Sequence, residues 1–175
     1  MNLLIKGLDY LLSRLSVALM SVLVLAVLFQ VFMRYVAGAP VTFTEELSRY
    51  LLIWLGLMAA AYAYRLRMHL ALDLLVLKLN ERQRVKLNVV IHTLIALFAL
   101  SVLVYGGIQL VILTYVLDQY SPALGVSMSV VYLALPLSGI AMVLYAVEFI
   151  LQELGIRRKE VEPEHATEEE DVLAG

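Results

Sequence analysis

Four runs of this 175-residue chain, at 15–33, 50–64, 89–117 and 128–151, are almost uninterruptedly apolar. Each reaches, or with a turn of flanking sequence can reach, the roughly 20 residues a helix needs to cross a bilayer. In hydrocarbon the backbone N–H and C=O groups find no water, so each run must satisfy its own backbone as a helix. Composition agrees: 62% of the residues are hydrophobic and 16% charged, a balance that a soluble domain of this size could not keep out of water. The chain is therefore read as an all-α integral membrane protein with four transmembrane helices, at about 12–34, 43–65, 86–117 and 126–151.

Lys6 and Arg14 precede the first run in the manner of a signal peptide, but no small-residue cleavage pattern follows, so the run is read as a retained span. The second run is short and borrows residues upstream, where Thr42-Phe43-Thr44-Glu45 has the form of a capping box. The third is longer than a bilayer requires. Asn80 and Gln83 are placed to cap it, and Gly106-Gly107 to bend it or to admit a close neighbour. Pro136 is expected to kink the fourth.

Between the second and third spans, residues 68–78 are too few to cross. His69 and Asp73, four apart, share one face and leave the rest apolar, as in an amphipathic helix lying in the membrane interface. The alternative is that this segment ends the second span and continues as a loop. Residues 1–159 form the membrane domain, with thirteen basic against eight acidic residues. The other seven acidic residues fall in 160–175, read as a disordered acidic cytoplasmic tail.

Orientation follows from the basic residues. With the N-terminus in the cytoplasm, eleven of the thirteen Lys and Arg lie inside, among them Lys6, Arg65, Lys86 and Arg157, and only Arg34 and Arg49 lie outside. Both termini are then cytoplasmic. No internal repeat of the kind that builds self-sufficient transporters is visible.

Most enzymatic chemistry is excluded. There is no cysteine, no phosphate-cradling glycine loop and no G-x-S-x-G nucleophile elbow. His69, His92 and His165 show no H-x-x-x-H spacing for a metal or haem, and His92 is read as a hydrogen-bonded packing residue. No catalytic, metal or cofactor-binding residue is assigned, and no nucleic-acid partner is expected. Glu148, near the cytoplasmic end of the fourth span, is read as a snorkelling interfacial carboxylate rather than a proton relay. Trp54 lies deeper than an aromatic belt and faces either a partner or the chain's own bundle.

The most informative stretch joins the first two spans. Arg34 and Tyr35 close the first helix, while Glu45, Glu46 and Arg49 open the second, so a short hairpin sets both signs of charge at one depth. Glu45 and Arg49 are an i, i+4 pair. These residues, with Trp54, are candidates either for locking the hairpin or for meeting a partner. Arg67, His69 and Asp73 are candidates for a contact at the inner face.

Phe32-x-Arg34-Tyr35, then Glu45-Glu46-x-x-Arg49-Tyr50, Trp54-Leu55-Gly56 and His69-x-x-x-Asp73-Leu74-Leu75, occur here in the order seen in the small membrane subunit of tripartite ATP-independent periplasmic (TRAP) transporters, the DctQ type. The chain resembles that family over about residues 10–150, including Ser121-Pro122-Ala123-Leu124-Gly125 and the stretch around Pro136. It departs in having Phe43 and Thr44 where the family often has tryptophan, and Arg67 and Met68 where it often has glycine. The resemblance implies a subunit in a bacterial or archaeal cytoplasmic membrane, packed against a large DctM-type subunit and lipid. A periplasmic solute-binding protein would deliver an organic acid, and sodium would bind in the large subunit rather than here. The competing reading is a self-contained homo-oligomeric transporter or channel lined by Glu148 or Gln30.

Overall fold

The computed structural model describes residues 2–39, 41–66 and 81–155. The expected interfacial helix at 68–78, the acidic tail at 160–175, Asn80 and the candidate residues Arg67, His69 and Asp73 lie outside them. Helix α1 spans Asn2–Tyr35, α2 Thr42–Arg65 and α3 Glu81–Phe98. A π-helical stretch, Ala99–Gly106, leads into α4, Gly107–Val116. The short α5, Met128–Tyr132, is followed by α6, Ala134–Glu153. Together they give four helices long and apolar enough to cross a membrane: Ile5–Tyr35, Thr42–Arg65, Val85–Val116 and Met128–Glu153. Among the described residues there is no strand, only an isolated bridge between Tyr120 and Ser127.

The first helix begins well before its apolar run because Ile5, Leu8, Leu12 and Leu15 repeat at helical spacing and pack into the core. Gly38, at φ +63, lets the chain reverse into α2. The expected capping box does not form. Val41 is the N-cap and makes no side-chain bond, and the Thr44 hydroxyl donates back to the Val41 carbonyl at 2.9 Å. Pro136 divides the fourth span by the expected mechanism: it has no N–H for the Tyr132 carbonyl, and the helix breaks at Leu133.

The first span packs on the second, the second on the fourth and the fourth on the third, so the spatial order is 1-2-4-3. The fourth span is the most buried and the first the least. Small residues allow this: Ala134, Ser138, Gly139, Ala141 and Ala146 are all buried on α6. A Cβ on Gly139 would lie 2.7 Å from Leu103 Cβ and 3.1 Å from the Val104 nitrogen, and one on Gly107 2.9 Å from Leu135 Cβ. The π-helical stretch runs through that contact, and Ser101 donates its hydroxyl to the Leu97 carbonyl within it. The buried core lies toward the end where α1 begins and α6 ends, built from Leu12, Met58, Ala61, Tyr64, Tyr145 and Phe149, with Trp54 packed against it.

Candidate functional site

Polar side chains gather at both ends of the helical layer. At the end where α1 begins, α2 ends and α6 ends, three spans each contribute one charge. Arg65 Nε donates to Asp9 Oδ2 at 3.1 Å, and Arg65 Nη1 reaches Glu148 Oε2 at 3.0 Å. The guanidinium suits this position because its rigid planar fork directs separate N–H groups toward two carboxylates, a geometry that a compact ammonium on a flexible stem does not pre-organise. It also lies over the rings of Tyr145 and Phe149, 5.6 and 5.7 Å from their centroids. The Glu148 side chain is only 5% exposed. The expectation that it snorkels to the interface is therefore corrected: α6 is the central helix, and Arg65 meets the carboxylate inside the bundle.

Beside this triad the Tyr64 hydroxyl sits 2.7 Å from His92 Nδ1, and both rings pack on Phe149. His92 thus binds the third span to the second as a hydrogen-bonded packing residue. An open pocket of about 640 Å³ adjoins, lined by Asp9, Tyr62, Arg65, Leu66, Phe149 and Gln152. Among the described residues no group of three His, Cys, Asp or Glu is placed to hold a metal.

At the hairpin end the structure separates residues that the sequence groups together. Glu45 and Arg49 pair at 3.5 Å along one helix face, with side chains 62% and 65% exposed. Glu46 turns the other way and accepts hydrogen bonds from the Ser121 hydroxyl and from the Ala123 and Leu124 N–H groups, the last two at 3.1 and 3.3 Å. Arg34 and Tyr35 are exposed, and among the described residues Arg34 makes no ion pair. Two partners were missed from sequence, Asp9 and Ser121. Counting residues from the helix ends would have set Asp9, Arg65 and Glu148 at similar depth.

This architecture defines a multi-pass helical membrane protein, its charges confined to the ends of the spans. The chain belongs to the DctQ family: residues 23–155 match the profile described as tripartite ATP-independent periplasmic transporters, DctQ component. It is also similar to a protein of Haemophilus influenzae that bears the name of a TRAP transporter small permease protein. The two are 30% identical over 136 residues, which cover 78% of this chain and 81% of that one. The family is one of transporter subunits, not of enzymes, and the chain is a TRAP small permease subunit.

Proposed function

We propose that this chain is the scaffold of a sodium-coupled TRAP transporter for organic acids. It packs in the cytoplasmic membrane against a DctM-type large subunit that holds the solute and sodium sites. A periplasmic binding protein delivers the carboxylate, and both termini of this chain are cytoplasmic, as the distribution of Lys and Arg favours. The carrying observation is the absence of charge at mid-depth: no Asp, Glu, Lys or Arg occurs at 15–33, 50–64, 89–117 or 128–147. Ionisable residues inside the membrane are what mark ion-coupled pathways, and their absence at mid-depth supports a pathway that belongs to another polypeptide. Glu148, the residue a self-contained transporter would use, is held by Arg65.

In this reading the exposed Arg34, Tyr35, Glu45 and Arg49 form the partner-facing surface, while Trp54 serves the chain's own packing. Arg67, His69 and Asp73 make the inner-face contact. Proteoliposomes test the assignment. The isolated chain should accumulate no solute under a sodium gradient, and adding the large subunit with loaded binding protein should produce uptake. Sodium-driven uptake by the chain alone would establish the homo-oligomeric transporter instead.

A further inference from the structure

The pocket beside Arg65 sits where three spans run out of apolar residues together. Residues 15–33, 50–64 and 128–147 hold no Asp, Glu, Lys or Arg, so Asp9, Arg65 and Gln152 mark the level at which hydrocarbon gives way to lipid headgroups. That holds whichever end of the bundle faces the cytoplasm. The volume of about 640 Å³ falls within the roughly 300–1,000 Å³ of cavities that hold small molecules. The lining divides by chemistry: Asp9 and Arg65 offer unlike charges 3.1 Å apart, their side chains 28% and 24% exposed, while Tyr62, Leu66 and Phe149 supply apolar walls. Both ions keep bonding capacity after they pair. Arg65 meets Asp9 through Nε and Glu148 through Nη1, contacts that do not use Nη2, and a carboxylate accepts more bonds than Asp9 takes from Arg65.

A ligand that uses both charges needs a cation with N–H groups for Asp9 and an anion for Arg65, joined by a short linker. At headgroup depth, phosphoethanolamine on a membrane phospholipid has that form. A trimethylated ammonium fits less well, because it has no N–H to give Asp9 and is recognised through open aromatic faces. Here Arg65 already lies over Phe149, 5.7 Å from its centroid, and Tyr64 and His92 pack on the same ring. An anionic headgroup without an amine would set its charge beside Asp9, with Glu148 behind Arg65. We propose that this pocket binds one phospholipid of the phosphatidylethanolamine type, its ammonium on Asp9 and its phosphate on Arg65. Such binding requires only that the helices span a membrane and is independent of the scaffold role.

The test is native mass spectrometry of the 175-residue chain released from detergent micelles, titrated with phosphatidylethanolamine, phosphatidylcholine or phosphatidylglycerol of identical acyl chains. Wild type should hold its first phosphatidylethanolamine about tenfold more tightly than phosphatidylcholine, the difference one charge-assisted hydrogen bond makes. Asp9→Asn keeps the shape of the side chain and should erase that preference. Leu66→Trp fills the pocket from a wall residue that is about half exposed and leaves Asp9, Arg65 and Glu148 in place. It should lower phosphatidylethanolamine retention at wild-type stability, which keeps the proposal open to refutation if Asp9→Asn fails to fold. Soluble glycerophosphoethanolamine, the headgroup without acyl chains, should not displace the lipid at equal concentration; displacement there would make the occupant a soluble phosphoamine and overturn the lipid. Equal retention of phosphatidylethanolamine and phosphatidylcholine, phosphatidylglycerol held as tightly as phosphatidylethanolamine, or undiminished retention in both variants overturns the site.

Discussion

Gly139→Ala should loosen the contact between the third and fourth spans, and its cost can be worked from distances. The new methyl carbon would stand 2.7 Å from Leu103 Cβ, 2.9 Å from Val104 Cγ2 and 3.1 Å from the Val104 nitrogen. Apolar carbons rest at about 3.5–4.0 Å, so the overlap with Leu103 Cβ is close to 1 Å. Val104 could turn its methyl aside. Leu103 Cβ and the Val104 nitrogen cannot, because both are fixed to the backbone of the π-helical stretch, and the helices must separate. Overpacking of this kind costs about 1–3 kcal/mol. Gly56→Ala is the control, since a Cβ there meets nothing within 4 Å; it should be neutral or stabilise by up to about 1 kcal/mol through helix propensity. Reversible unfolding of the purified chain in mixed micelles, compared across wild type and the two variants, measures both. Equal stability of Gly139→Ala and Gly56→Ala would refute the argument that a missing Cβ sets this helix spacing.

Arg65→Ala removes the cation that Asp9 and Glu148 share, and the same unfolding assay should show a loss of about 3 kcal/mol; Arg65→Lys should recover only part, because an ammonium lacks the planar fork and the guanidinium's placement over the Tyr145 and Phe149 rings. Tyr64→Phe deletes the hydroxyl beside His92 and should cost about 1 kcal/mol with no change of fold by circular dichroism. Arg49→Ala breaks an exposed pair, so the isolated chain should lose no more than about 1 kcal/mol. A drop in co-purification with the large subunit at that unchanged stability would mark Arg49 as a partner contact, and wild-type assembly and uptake would remove it from the proposed surface.

The sequence alone determined the class and the elements. Water exclusion leaves an apolar run of spanning length no state but a helix, so the four spans follow from residues 15–33, 50–64, 89–117 and 128–151 without reference to packing. The Pro136 break and the tight approach at Gly107 were also legible, since one follows from a missing N–H and the other from a missing Cβ. The ordered motifs from Phe32 to Leu75 pointed to the family that the profile match confirms. The order 1-2-4-3, the triad of Asp9, Arg65 and Glu148, and the Glu46 latch on Ser121 were decided by the tertiary structure. These spans are apolar nearly all round and carry no single stripe to say which face turns inward. Rotation and neighbours are then chosen by small-residue packing and by a few charges far apart in sequence. Glu45 and Glu46 show the consequence: adjacent and chemically alike, they project from different sides of one helix, one to solvent beside Arg49 and the other to a loop 75 residues away.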